Sequence, residues 1–351
     1  MTLPKHFNYE NANECRHNLV NSFVTYYKEK GSIEVKPLPI ISKEDDSVIF
    51  IGAAICALKK DYVKPNHIPE EGLVIAQDSV RTRNSKRLLD ETFSPNWGSY
   101  FTNIDSLYPY SRKIDAFEDV MEFFHDIVGI SPSDLVLRAN TNDKELAEIA
   151  RRASETHHIE FDVHPEKYYR HKIGVNGIKG ENFNFAIRHK QTGQYADIGN
   201  YIIFKDEKTN EPLFLEVGFG DTTILQLKYG LNNVLDCYPF PKNEYLDNNY
   251  KFKDSMITSL ALCREGLEPS SKDEQSKILY KYMRALYYFT EKNNMRSEET
   301  ARLLYRTEER VFGDVIAQPR ISEILGQKED RIKDLNNQTI IDLVRKQGNN
   351  K

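Results

Sequence analysis

Near residue 240 the hydrophobic pattern of this chain changes period, and that switch limits the folds open to it. Up to Phe240, apolar residues come in short runs and alternations, the pattern of sheet strands, with a few helical stretches between them. Beyond it they recur every three to four residues, over 255–263, 272–289, 297–312 and 321–345. The pattern predicts an α+β protein: an antiparallel sheet flanked by helices over residues 1–240, followed by a helical domain over 241–351. A length of 351 residues suits two domains.

Charge and cysteine usage exclude several classes. The net charge of −5 means the chain as a whole is no nucleic-acid magnet, so any RNA contact would use a local basic face. Lys277, Lys281, Arg284, Arg302, Arg306 and Arg310 recur along the helical part, but acidic residues are interleaved, and such a face is commonly just solvated. The four cysteines, Cys15, Cys56, Cys237 and Cys263, form no CxxC pair. This argues against structural zinc and a disulfide framework and fits a reducing, cytoplasmic location. His157, His158 and His164 match no zinc spacing, so no metal site is expected. No apolar run approaches the roughly 20 residues a membrane span needs, and the first ten residues lack the apolar core of a secretory signal.

Taken in order, residues 11–30 read as a helix, with Leu19, Phe23, Tyr26 and Tyr27 on one face and Gly31 as its stop. Residues 33–41 are extended, and Pro37 and Pro39 place them at a rim. A short buried strand is predicted over 48–55. A second strand, 73–81, delivers Arg81 to its far end. A basic loop over 83–91 follows, and then an aromatic strand returns over 96–104 with Trp97, Tyr100 and Phe101. Cations there would suit phosphates, and a flat ring would suit a nucleobase; a solvated loop between two ordinary strands has the same pattern. A helix over 115–128 ends at Gly129. A turn and a strand over 130–138 and a helix over 143–152 come next, then a connection with His157, His158 and His164 and a loop with Gly174, Gly177 and Gly180. Strands over 183–188 and 197–204 complete the sheet, and Pro319 is expected between helices.

Residues 212–230 then run from an apolar strand, Leu213 to Val217, through Gly218, Phe219 and Gly220 into a helix with Ile224, Leu225, Leu227 and Tyr229, which Gly230 ends. Glu216 stands at the end of that strand. An acid followed by backbone that a ligand can approach closely is a plausible binding floor, and a plain strand-to-helix turn gives the same sequence.

In this order the elements resemble the alanyl-tRNA synthetases, a class II aminoacyl-tRNA synthetase family, from about residue 12 to about residue 290. The helix 19–30 with Gly31, Pro37 and the run from Asp45 to Phe50 is similar to that family's motif 1 region. Residues 77–81, Gln-Asp-Ser-Val-Arg, resemble the motif 2 strand, whose arginine holds the ATP α-phosphate and the substrate carboxylate; here that is Arg81. The returning strand implies an adenine-stacking ring, Tyr100 or Phe101. Residues 197–204 resemble the strand with a pocket asparagine, here Asn200, and Glu216 to Gly220 resemble motif 3, whose acid faces the substrate amino group. The resemblance thus implies Arg81 as the catalytic residue. It implies Arg81, Tyr100, Phe101, Gly218 and Gly220 for ATP, and Asn200 and Glu216 for the amino acid. It also implies ATP and Mg²⁺ as cofactors, tRNA or another acceptor as partner, and a monomer or homodimer. From Cys263 to Arg284 the chain resembles the start of the tRNA-recognition domain.

The departures are as specific. Motif 3 of the family continues Gly-Leu-Glu-Arg-Leu, and its arginine grips the γ-phosphate; Thr223 stands there in this chain. A hydroxyl cannot replace a charge-assisted contact worth about 1.5–3 kcal/mol. Glu216 in place of aspartate reaches one methylene further, which points away from alanine. The family's editing and C-terminal domains are not matched. A ligase in a specialised pathway and a non-catalytic tRNA-binding or regulatory paralogue are the two functions left to weigh.

Overall fold

Long alternations of apolar and polar residues over 178–220 build the centre of a sheet. The computed structural model describes residues 3–327. Its strands are β1 (Ile33–Glu34), β2 (Leu73–Val80), β3 (Tyr100–Pro109), β4 (Leu135–Ala139), β5 (His158–Phe161), β6 (Arg170–His171), β7 (Ile178–Arg188), β8 (Tyr195–Asp206) and β9 (Pro212–Gly220). They form one sheet in the order β1-β2-β3-β9-β8-β7-β4-β5, with β6 also on β7. The β3–β9, β9–β8, β8–β7 and β7–β4 pairs are antiparallel, and β1–β2 and β4–β5 are parallel. The protein is therefore α+β, an antiparallel-dominated sheet flanked by helices, as the sequence pattern predicts.

One face of this sheet is apolar and covered. Phe183, Phe185, Tyr201, Val217 and Phe219 alternate onto it, as period-2 geometry demands. Four helices supply the other half of that core: α1 (Ala12–Glu29), α3 (Lys113–Glu122), α4 (Lys144–Arg151) and α5 (Asp221–Tyr229). The opposite face is apolar only at one end, where Leu73, Ile75, Leu107, Ile202, Phe204 and Phe214 pack with α2 (Ala54–Leu58). The rest of it carries polar side chains.

Several local expectations fail for identifiable reasons. Residues 48–53 form no strand; Ile51 makes ladder-like bonds, donating to Ile40 O and accepting from Val80 N, before Gly52 and Ala53 lead into α2. The returning strand starts at Tyr100 and runs past Ile104 to Pro109, because Asp105 and Ser106 are fully buried in the ladder despite their polarity. Strand β9 does not turn at its glycines but continues through both. Residues 158–161, expected as a connection, form a parallel pair with β4.

The chain divides into two compact units: Met1–Arg81 with Phe101–Tyr238, and Thr82–Tyr100 with the residues from Pro239 on. The second unit contains α6 (Tyr250–Arg264), α7 (Glu274–Lys292), α8 (Ser297–Phe312) and α9 (Gln318–Gln327). Asp254 on α6 ties in the 82–100 segment: its buried carboxylate accepts from Ser99 N and Oγ, both at 2.7 Å, and from Asn84 Nδ2 at 3.0 Å. Pro319 sits in the first turn of α9, where its missing N–H costs nothing. The expected helix over 321–345 is described only to residue 327; the remainder, with the tail 346–351, lies outside the described residues.

Candidate functional site

The polar face of the first unit is assembled by strand register. Asp105 of β3 lies opposite Gly218 of β9, Gly218 opposite Asn200 of β8, and Asn200 opposite Asn184 of β7. One step along, Leu107, Glu216, Ile202 and Asn182 form the parallel row. Directly paired residues share a face, so Asp105, Glu216, Asn182, Asn184 and Asn200 all project to the same side, with Gly218 as bare floor between them.

Gly218 is bare because Asp105 lies over it. A Cβ there would stand 2.4 Å from Asp105 Oδ1. Asn103 anchors this carboxyl, donating through Nδ2 to Asp105 Oδ1 at 2.6 Å and to Phe219 O at 2.8 Å, while its Oδ1 accepts from Ala54 N at 3.2 Å. The remaining oxygens, Asp105 Oδ2 and Glu216 Oε2, are buried and accept from no other group. The two carboxyls are hydrogen-bonded to each other, which requires a proton between them. Burial pushes Glu216 well above the carboxylate range, and the Asp105 charge adds to it; burial also raises Asp105. The Arg81 cation works the other way on both. A single shared proton would satisfy both carboxyls, and the pair would then titrate as a unit.

Arg81 follows the last residue of β2 and is exposed. Its Nε donates to Gly52 O at 2.9 Å, and its guanidinium lies 4.8 Å from the centre of the Phe101 ring. Phe101 sits over Gly220, whose Cβ would be 3.5 Å from the ring. Tyr100 points elsewhere: it belongs to the second unit, where its ring lies 5.8 Å from Phe312. Thr223 is half-buried in the first turn of α5, beside Asp221, which is fully buried and paired with Arg16 at 2.9 Å. So Arg81, Phe101, Asn200, Glu216, Gly218 and Gly220 come together on one face, and Tyr100 does not.

Asp105, Asn103, Asn182 and Asn184 are members of this face that sequence reasoning missed. The signal was the alternation Phe101, Asn103, Asp105, which continues one face of the strand past Ile104.

The raised acids fix the sign of a pH effect. A carboxyl raised on folding keeps a proton that the unfolded chain has already released, so its stabilisation is complete below the ordinary carboxylate range and is lost as pH rises through the folded value. Asp221 is raised by burial, and Asp254 is pushed up by burial to about 6, with the same sign. The contribution of these acids should therefore fall from pH 5 to pH 8, while His17, His157 and His171, lowered chiefly by burial, act with the opposite sign. Glu216→Gln, whose amide donates to Asp105 where the proton stood, should lose less stability over that interval, since the other acids and these histidines contribute alike to both proteins. Thermal unfolding of parent and variant at the two pH values checks this; parallel pH profiles would refute a shared proton.

No protein-family model matches the chain, and no curated protein matches it. Among solved structures it is similar to asparaginyl-tRNA synthetase of Entamoeba histolytica in complex with asparaginyl-adenylate, at 11% identity and a TM-score of 0.40, covering 67% of each chain. It is also similar to apo histidyl-tRNA synthetase of S. aureus, at 10% identity and a TM-score of 0.39, over 65% of this chain and 73% of that one. The pyrrolysyl-tRNA synthetase PylSc of Desulfitobacterium hafniense is similar at 12% identity and a TM-score of 0.36, over 62% of this chain and 69% of that one. Likenesses this loose carry no argument about family or chemistry.

Proposed function

We propose that this chain is an ATP-dependent ligase of class II aminoacyl-tRNA synthetase type, which activates an amino acid as its adenylate and passes it to tRNA or another acceptor in the cytoplasm. The observation that carries the reading is the single sheet face on which an exposed arginine, an aromatic ring, a buried acid pair and Asn200 converge. It joins the motif order, similar to that of the alanyl-tRNA synthetases, to a surface with a suitable charge pattern. In adenylation a substrate carboxylate oxygen bonds to the α-phosphorus, the bond to the β-phosphate oxygen breaks, and pyrophosphate leaves. Such chemistry asks the protein for positioning and charge neutralisation. Arg81 would neutralise the α-phosphate, Phe101 would flank the adenine, and Asp105 with Glu216 would receive the amino group.

The residues fit ATP through Arg81 and its neighbouring glycine floor. They offer Mg²⁺ little of their own: among the described residues no three His, Cys, Asp or Glu side chains gather as a ligand set. That suits a cation carried largely by phosphates and water. As partners we propose an amino acid and an aminoacyl acceptor, with the chain acting as a monomer or homodimer. Among the described residues no helix is long and apolar enough to cross a membrane.

Thr223 supports a second reading, in which the face holds an aminoacyl or nucleotide ligand without activating it and the helical unit binds RNA. Amino-acid-dependent exchange of labelled pyrophosphate into ATP, run across the twenty amino acids, separates the two. Exchange with one amino acid is the expected result. No exchange with any, together with RNA binding that weakens steeply with salt, would decide for the second.

A further inference from the structure

Three buried oxygens on the polar face of the sheet have no partner among the described residues: Asp105 Oδ2 and Glu216 Oε2, beyond their shared proton, and Asn182 Oδ1. All three are acceptors. The asparagine orientations are not interchangeable. Asn184 Oδ1 accepts from Asn182 Nδ2 at 2.5 Å and also from Asn200 Nδ2. The amide of Asn184 is in turn engaged by Tyr168, whose hydroxyl donates to Asp197. With Asn184 fixed as a double acceptor, both neighbours must turn their NH₂ groups to it and their carbonyl oxygens away. Asn182 is 2% exposed and is one of the residues lining a cavity of about 370 Å³ beyond the edge of the row. Of the cations lining that cavity, Lys205 is paired with Asp143 and Glu181 and Arg170 with Glu166, and Lys144 is exposed.

A buried carbonyl left without a donor costs stability, and a ligand that supplies the donor recovers it. Glu216 and Asn182 stand in one cross-strand row with only Ile202 of β8 between them, about 10 Å apart at two strand spacings. A ligand that satisfies both ends therefore needs N–H donors at two places separated by a short chain.

We propose that the amino acid held on this face has a basic side chain, an amine or guanidinium a few methylenes from its α-carbon, with the α-ammonium against Asp105 and Glu216 and the side-chain donors against Asn200 and Asn182. This rests on the amino-acid reading of the face, but not on adenylation. Arg81 at the rim repels such a side chain and so directs it along the asparagine row; burial, and after it the Arg81 charge, lower the proton affinity of His171. An aliphatic side chain would leave the Asn182 oxygen unsatisfied.

Calorimetric titration of the full chain without ATP, using L-lysine, L-arginine, L-glutamine, L-norleucine and L-alanine, tests it. Lysine or arginine should bind about tenfold or more tighter than norleucine, which has the four side-chain carbons of lysine without the terminal ammonium. Asn182→Leu should erase that preference. Should that variant lose its far-UV circular dichroism, Asn200→Leu, at a half-exposed position, gives the same readout. Norleucine, alanine or glutamine binding as tightly as lysine and arginine, no binding by any of the five, or a preference that survives both variants would overturn the proposal. Lysine or arginine binding without pyrophosphate exchange would leave it standing and sink the ligase; exchange with an apolar amino acid alone would do the reverse.

Discussion

Arg81→Ala is expected to lower amino-acid-dependent pyrophosphate exchange by about 100- to 1000-fold, corresponding to about 2.7–4 kcal/mol of lost transition-state stabilisation. The side chain is exposed, and its hydrogen bond to Gly52 O lies at the end of β2, so its loss should move the unfolding midpoint by only a few degrees. Catalytic and structural effects should thus separate. The change has a second consequence. The Arg81 charge holds down the proton affinity of both Asp105 and Glu216, so removing it lets the pair keep its proton to higher pH and weakens its hold on an ammonium group. A decline in both exchange rate and amino-acid affinity is therefore expected, with the rate falling further. Arg81→Lys should be intermediate, since it restores the charge but not the planar group that lies on Phe101. An exchange rate unchanged in Arg81→Ala, in a protein with measurable exchange, would place the reacting phosphate elsewhere.

The sequence carried the parts of this face that depend on local pattern. Arg81 at the end of an apolar strand, Asn200 in an alternating strand and Glu216 before two glycines are each visible within a window of about ten residues. What was not visible depends on register between distant segments. Asp105 reads as the polar end of a strand, and only its place opposite Gly218, 113 positions later by number, makes it half of a buried acid pair. Gly218 and Gly220 read as turn residues because closely spaced glycines usually punctuate a strand. They lie in the ladder instead, and the reason for glycine at 218 is a side chain on another strand. Residues 48–52 show the converse: an apolar run that satisfies strand propensity but forms no strand, with ladder-like bonds at Ile51. Local pattern gives element type; whether a polar residue is solvated or buried against another is decided by pairing that the pattern does not encode.

Gly218→Ala tests that pairing directly and should cost about 3 kcal/mol, the upper end of what overpacking usually costs. The backbone at Gly218 is ordinary strand, so no conformational strain enters; the whole effect is space. The new methyl would meet Asp105 Oδ1 at 2.4 Å, Cγ at 2.9 Å and Oδ2 at 3.3 Å. A flexible surface carboxylate would swing aside at little cost. This one is fully buried, bonded to Asn103 on one side and sharing a proton with Glu216 on the other. It can move only by abandoning both partners or by prising β3 from β9. Asp105→Ala alone also destabilises, because it leaves Glu216 and Asn103 without their partner in a buried site. The two changes together should be far less than additive: Asp105→Ala removes all three atoms that the Gly218→Ala methyl would strike, and the methyl fills part of the space they leave. A double-mutant cycle by urea unfolding should therefore show a coupling energy of about 2 kcal/mol, well beyond the roughly 0.5 kcal/mol expected of independent sites. Additive losses would mean that the carboxyl does not lie over the glycine in solution, and the acid pair would then lose the geometry on which its shared proton depends.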